Sequence, residues 1–407
     1  MPTTSLRLSV ARPEIIALLL AVVTLTIPGC KAKPDYAKAL PPGRNALRLI
    51  DDPAQWPDVG AAFAARDGNL GQALDRSIAW FEKPSSQQYF PVSDITHRQA
   101  YQSLIAFRKL LSTSPTAEAF AAGLQEQFDA YQSVGFDDRG SVFFTGYCSP
   151  ILTASTTRTA QYRYPLYQPP ADLVTDFAGG RVTRRVGNQV TAYPTRHEIE
   201  SAPPAALGLA GRELVYLADP FEVYVIHVNG SAMLRLTDGS IMHVGYAASN
   251  GREYSSVGKI LVQERKIPAE RLSLPTLRAY FREHPEEVSQ YTHRNDRYIF
   301  FKRYEATAWP SGSLGVPVTA WRTLATDKAI FPRGCVTLVQ TRVPTAFSQP
   351  RQFTQWMLDQ DAGGAIRAAG RADIFMGIGP DAETLAGRQT ELGKLYYFFL
   401  KPSLADR

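Results

Sequence analysis

Histidine and cysteine are scarce in this 407-residue chain, six and three respectively, and neither falls into a metal-binding spacing. The histidines are scattered at 97, 197, 227, 243, 284 and 293, with no His-Glu-x-x-His and no closely paired cysteines, so no metal site is expected. His227 and His243 read as structural residues. There is no Gly-x-Ser-x-Gly elbow to present a serine nucleophile and no glycine loop to cradle a phosphate. No Lys/Arg run tracks a phosphate backbone and the formal net charge is only +6, which argues against nucleic acid as a partner. A second Asp-Thr-Gly or Asp-Ser-Gly is absent, so Asp361-Ala-Gly363 is not half of an aspartic protease dyad. What remains is carboxylate chemistry, with no cofactor implied.

No apolar run reaches the roughly 20 residues that span a bilayer. The longest, Ile15 to Ile27, follows Arg7 and Arg12 and ends in Ile27-Pro-Gly-Cys30, the layout of a signal peptide over residues 1–29. A cysteine directly after a small residue at this place reads as a lipidation site. Two or three acyl chains on Cys30, at about 0.8 kcal/mol per buried CH₂, would hold the protein on a membrane durably. Lys31 rather than Asp follows, which points to the outer membrane and its periplasmic face. Removing the leader takes Arg7, Arg12 and Glu14 with it and lowers the net charge by one. A mildly basic surface suits an acidic partner and equally suits ordinary solubility.

Residues 30–50 read as a linker from the acylated cysteine. From Asp51 to Ser133 the apolar period is helical, with Leu74, Ile78 and Phe81, then Leu104, Ile105, Phe107 and Leu111. Thr96-His-Arg-Gln99 predicts a capping box, and Ser114-Pro115 the start of a third helix. From Ser141 the period becomes two. Glu222 to Val228, Met233 to Leu236 and Ile241 to Tyr246 read as a β-meander turned at Asn229-Gly230 and Asp238-Gly239. Leu274 to Glu283 reads as a short helix, followed by a strand at Tyr298 to Phe301. A mature chain of this length exceeds what one core usually serves, so two domains are expected. Cys148 and Cys335 are expected as free, buried thiols; the alternative in an oxidising compartment is a disulfide, which needs Cα atoms within about 7 Å.

Near the C-terminus, Asp361-Ala-Gly363-Gly364-Ala-Ile366-Arg367 places a carboxylate beside two glycines at the end of a strand running from Phe353 to Leu358. The glycine pair predicts a bulge or tight bend that re-aims Asp361 into a cleft; the plain alternative is a turn aspartate. Asp359 would share its face at about 6.6 Å if the strand is regular. That would make a two-carboxylate hydrolysing glycosidase, and the charge of Asp359 would then hold the proton on Asp361.

These residues also carry a resemblance. Asp361-x-Gly-Gly-Ala-Ile366, then Asp373-Ile-Phe-x-Gly377, preceded by Thr326-Asp327-Lys-Ala-Ile-Phe-Pro-Arg-Gly334, is similar to the three-aspartate double-psi β-barrel of the membrane-bound lytic murein transglycosylase A family. Phe144-Thr145-Gly146-Tyr147-Cys148-Ser-Pro150 resembles its Thr-Gly-Tyr-Tyr-x-Pro segment, and Tyr164-Pro-Leu-Tyr167 its Tyr-Pro-Ile-Tyr. Asn250-Gly-Arg-Glu-Tyr254-Ser-Ser-Val-Gly-Lys259 resembles its Asn-Gly-x-x-Tyr-x-Ser-Ile-Gly-x element. The likeness runs from about residue 140 to 380. Two positions depart from it: Asn229-Gly-Ser231-Ala232 replaces Gln-Gly-Ser-Gly, and Cys148 replaces the second tyrosine.

The resemblance implies a mainly β fold with N-terminal helices. Residues 51–154 and 304–407 would build the double-psi barrel, 155–303 a second, inserted β-barrel domain, and the groove between them would hold a glycan strand. It implies a peptidoglycan lytic exotransglycosylase, a carbon–oxygen lyase in which Asp361 acts as acid and then base. Asp327, Asp373 and Thr145 would assist, the hydroxyl of Thr145 orienting Asp361. Substrate would meet Tyr147, Asn229, Ser231, Asn250, Tyr254, Gly363 and Gly364. The expected partners are peptidoglycan glycan strands, outer-membrane lipid through Cys30, and proteins of a wall-remodelling complex. A non-catalytic peptidoglycan-binding lipoprotein stays open as the other reading.

Overall fold

Three amphipathic helices form the first layer of the fold. The computed structural model describes residues 34–175, 182–345 and 349–405, so the leader and the Cys30 reading lie outside the described residues. The helix Gly68–Phe81 buries Leu70, Ala73, Leu74, Ser77, Trp80 and Phe81 along one face, and Asp67 caps it by accepting from Leu70 N–H. The helix His97–Thr113 opens at Thr96 as expected, its hydroxyl accepting from Gln99 N–H. The capping box does not close, because the Gln99 amide donates instead to the Leu400 carbonyl. The third helix, Ala117–Gln127, opens at Thr116 rather than Ser114, since it is the Thr116 hydroxyl that reaches the Ala119 N–H.

These helices pack on a closed barrel of six strands. In spatial order they are Thr390–Leu400, Val336–Val343, Arg351–Asp361, Thr323–Ala325, Arg371–Ile378 and Val142–Ser149, and the last pairs back onto the first. Closure satisfies every strand edge within the ring, and the double-psi barrel is thereby a rigid mount for side chains at its rim. Fully buried Trp356 joins the layers, meeting Phe107, Phe120 and Phe398 edge-on at centroid distances of 4.8, 5.8 and 5.1 Å. The 30–50 segment is more than a tether: Tyr36 stacks on Phe143 at 4.3 Å, and Leu47–Leu49 adds a strand to Phe128–Ser133.

The inserted part is built on a four-stranded sheet in which Ser231–Leu236 and Ile241–Ser249 form the expected hairpin, flanked by Ile151–Ala154 and Ile299–Tyr304. The first strand of the expected meander is instead the helix Pro220–Asn229. Its run of apolar residues is buried on nearly every side, a pattern that strand and helix share. The ends decide: Asp219 caps the start, Pro220 fills the first turn, and Gly230 takes the left-handed conformation (φ 74°) that terminates a helix. Asn229-Gly230 is therefore a helix stop and not a hairpin turn. Leu274–Glu283 is helical as expected. His227 is a buried structural acceptor, its Nδ1 taking the Ile299 N–H at 3.1 Å, and burial keeps it neutral. From Asp35 to Arg407 the chain packs as one unit.

Candidate active site

Parallel pairing of Thr323–Ala325 with Arg351–Asp361 puts Thr323 opposite Leu358 but Ala325 opposite Asp361, so the longer strand carries one extra residue. The bulge therefore precedes Asp361, at Asp359 and Gln360, and does not follow it at Gly363-Gly364. It breaks the alternation that would have aimed both aspartates the same way. Asp359 and Gln360 turn wholly into the protein, while Asp361 stays part-buried at the strand end.

Three neutral donors hold the Asp361 carboxyl. Tyr147 Oη donates to Oδ2 at 2.6 Å, and the backbone N–H groups of Ser313 and Ala362 each donate to Oδ1 at 2.8 Å. Burial raises its proton affinity above the ordinary carboxylate range and outweighs these donors and the charge of Lys328, all of which pull it down. Burial and the Asp361 charge push the Tyr147 phenol well up, so it remains a donor. Gly312 makes the Ser313 contact feasible: a Cβ there would lie 2.8 Å from the Gln360 carbonyl and 3.3 Å from Asp361 Cγ. Neither Gly312 nor Ser313 was singled out from the sequence. The only available signal was Ser311-Gly-Ser313 after Trp309-Pro310, which marks a loop and nothing about its neighbour.

Asp359 has different company. Its oxygens accept from the Thr326 hydroxyl at 3.0 and 2.8 Å and from Tyr397 Oη at 2.8 Å, and the Lys328 ammonium is bonded to it. A carboxylate with its own buried cation adds no like charge to Asp361, so the expected electrostatic role for Asp359 is not supported. Burial, not Asp359, is the main cause of the raised affinity of Asp361. Nor can Asp359, with no exposed surface, activate a water in a cleft.

The other expected residues divide. Asp373 stands opposite Thr145 in the parallel strand pair, and Thr145 serves it rather than Asp361. Burial lifts the Asp373 carboxyl to about 6 against the opposing hydrogen bond from Thr145 and charge of Arg371, and its Oδ1 has no hydrogen-bond partner. Asp327 caps two turns, accepting from Ala329 N–H at 3.1 Å and Ala368 N–H at 2.8 Å, which is the structural alternative to a catalytic role. Asn250 is consumed by backbone: its amide donates to Pro194 and Asp296 carbonyls, and its oxygen accepts from Tyr298 N–H. Ser231 is bonded to Ser149 at 2.6 Å and buried. Neither is free to meet a ligand in this arrangement.

Tyr147, Asn229 and Tyr254 do converge, lining a cleft of about 260 Å³ with Phe221, Val225 and Leu274 between the insert and the barrel. Gly364 lets the turn after Asp361 approach this side: a Cβ there would sit 3.1 Å from Arg297 Nε and 3.5 Å from Tyr254 Cβ. Gly363 is equally constrained, since a Cβ would meet Ile366 at 2.8 Å. Cys148, also in the cleft wall, is free and buried, its thiol pushed up to about 12 by burial, and Cys335 is likewise a free buried thiol. One cluster escaped the sequence reading: His284, Glu286 and Glu287 come together, with Glu287 already bonded to Lys266 and Tyr280.

Comparisons with known proteins bear on the fold and the family. The MltA specific insert domain matches residues 143–302, and the 3D domain matches residues 322–399. The membrane-bound lytic murein transglycosylase A of Escherichia coli K12 is 30% identical over 284 residues, 68% of this chain and 71% of that protein. The Vibrio cholerae protein of the same name is 27% identical over 312 residues, 75% and 77% of the two chains. Among solved structures, a membrane-bound lytic murein transglycosylase from Agrobacterium tumefaciens superposes with a TM-score of 0.67 at 22% identity, covering 89% of this chain and 99% of that one. E. coli MltA with bound chitohexaose gives 0.66 at 23% identity over 91% and 97%.

Proposed function

The chain belongs to the membrane-bound lytic murein transglycosylase A (MltA) family, and from that premise we propose that it is a peptidoglycan lyase whose single acid and base is Asp361. It cleaves the β-1,4 bond between MurNAc and GlcNAc. The observation that carries the assignment of Asp361 is its contrast in partners: a carboxyl bonded to Tyr147 of the cleft wall, raised in proton affinity by burial and touched only by neutral donors.

The proton inventory closes on one group. Protonated Asp361 gives its proton to the glycosidic oxygen as the bond to MurNAc C1 breaks. The carboxylate so formed is stabilised by Tyr147 Oη and by the Ser313 and Ala362 N–H groups, which are already in place and need no reorganisation. It then takes the proton of the MurNAc C6 hydroxyl, whose oxygen closes on C1 to give the 1,6-anhydro end. Asp361 is left protonated for the next turn, and water enters no step. Tyr254, Asn229 and the apolar wall of the cleft form the sugar-facing surface in this reading, and Asp373 with Thr145 and Arg371 forms a buried electrostatic neighbour to Asp361.

The relatives are named membrane-bound, and no helix among the described residues is long and apolar enough to cross a membrane. Acylation of Cys30, with the protein held on the outer membrane facing the periplasm, supplies the attachment in this proposal. Mass spectrometry of fragments released from purified sacculi tests the reading. Anhydro-MurNAc ends are expected. Reducing ends would make the protein a hydrolase, and no release with retained binding would make it a wall-binding lipoprotein.

A further inference from the structure

A second cavity, about 440 Å³, is lined by Arg44, Asn45, Ser93, Lys328 and Arg333 among others and by no carboxylate. Two of its three cations are already neutralised. Lys328 is bonded to Asp359, and Arg44 pairs with Asp138 at 3.0 Å on the exposed rim. Arg333 is half-buried, its guanidinium 4.4 Å over the Tyr89 ring, and among the described residues no carboxylate lies within ion-pair distance of it. Asn45 accepts from Ser93 through Oδ1, which leaves its amide protons for another partner. The site therefore carries one uncompensated positive charge and presents a planar fork on an aromatic ring, the geometry that suits a carboxylate held through two parallel hydrogen bonds.

The cavity is close to the chemistry. Thr326 N–H bonds to the Asp361 backbone carbonyl at 3.3 Å, and Lys328, two residues on, lines the cavity. A peptide of four residues spans about 13 Å when extended. We propose that this cavity receives one carboxylate of the stem peptide carried by the glycan strand, with Arg333 as its principal partner and Asn45 as a second donor. The proposal rests on the lyase reading for the identity of the polymer. It adds a specificity site that recognises the peptide rather than the sugar.

The test separates the two. Calorimetric binding of a soluble, sugar-free stem tetrapeptide is measured on the full chain and on Arg333→Gln and Arg333→Lys, with inorganic phosphate as the competing anion. Cleavage of peptide-free and peptide-bearing strands is measured in parallel. The parent is expected to bind the peptide, Arg333→Gln to bind it at least about tenfold more weakly, and Arg333→Lys to fall between. Arg333→Gln should cleave peptide-free strands at the parental rate and lose its preference for peptide-bearing ones. Thermal unfolding of each variant confirms that it is folded. Equal peptide binding by Arg333→Gln, phosphate binding tighter than peptide, or no peptide binding by a parent that cleaves strands would each overturn the receptor. Peptide binding lost on Arg333→Gln, in a parent that cleaves neither kind of strand, would support the receptor and refute the lyase.

Discussion

Asp359 and Asp361 lie two residues apart on one strand and are both removed from bulk water, yet they sit in opposite electrostatic settings. Asp359 faces the barrel interior with a lysine, a threonine and a tyrosine around it. Asp361, at the strand end, has a tyrosine of the cleft wall and two backbone N–H groups around it. A buried carboxylate with a cation in contact is one half of a structural pair. One with only neutral donors, under a desolvation penalty, is raised in proton affinity and suited to give a proton away. A single bulge residue separates the two fates.

The largest expected effect breaks the comparison on the cleft side. Asp361→Asn retains the shape and the backbone hydrogen bonds but removes the proton donor, so release of anhydromuropeptides should fall by about 10²- to 10⁴-fold. Initial rates on sacculi, with thermal unfolding of the variant as control, check this; a rate within tenfold of the parent would mean that another group is the acid.

On the interior side the expected loss is in stability rather than chemistry. Asp359→Asn strands the buried Lys328 charge, and denaturant unfolding should show a cost of about 3–5 kcal/mol. Asp359→Leu combined with Lys328→Met should recover most of that, because removing both halves of a buried pair leaves no charge uncompensated.

Asp373 gives an intermediate case with a defined sign. Its native affinity, raised to about 6 by burial, exceeds that of an unfolded aspartate near ~3.9, so the protonated group favours folding at low pH. That contribution is lost as pH rises through about 6. Asp373→Asn, which never ionises, should match the parent at pH 4 and be more stable at pH 8 by up to about 3 kcal/mol. Stability curves at the two pH values decide it, and a variant less stable than the parent at pH 8 would show that the ionised form is held by more than Thr145 and Arg371.

The smallest effect belongs to Tyr147. Its hydrogen bond lowers the proton affinity of Asp361, so Tyr147→Phe should move the basic limb of the pH–rate profile upward while reducing the rate about tenfold. An unshifted limb would place the phenol's role in substrate contact alone.

What the sequence revealed of this site follows from how local each feature is. Asp361 and its flanking glycines form a short motif, and the strand that carries them is visible in its own residues. The partners are not local: Lys328 meets Asp359 across 31 positions and Ser313 meets Asp361 across 48. Nothing in spacing reports such pairings, so a catalytic pair of the two aspartates stayed open as the alternative to Asp361 acting alone. The helix Pro220–Asn229 was missed for another reason. Asp219, Pro220 and Gly230 were all present as start and stop signals, but six β-favouring residues between them outweighed the ends. Asn250 illustrates the converse error, a polar residue in a recognisable motif whose entire hydrogen-bonding capacity holds backbone segments together.

The central claim is that one carboxylate suffices because the attacking oxygen is the sugar's own C6 hydroxyl. Digestion of purified sacculi in ¹⁸O-labelled water tests it most directly. The account predicts MurNAc ends lacking one water relative to the reducing sugar and carrying no ¹⁸O at C1; reducing ends labelled with ¹⁸O would contradict it and require a second carboxylate to activate water.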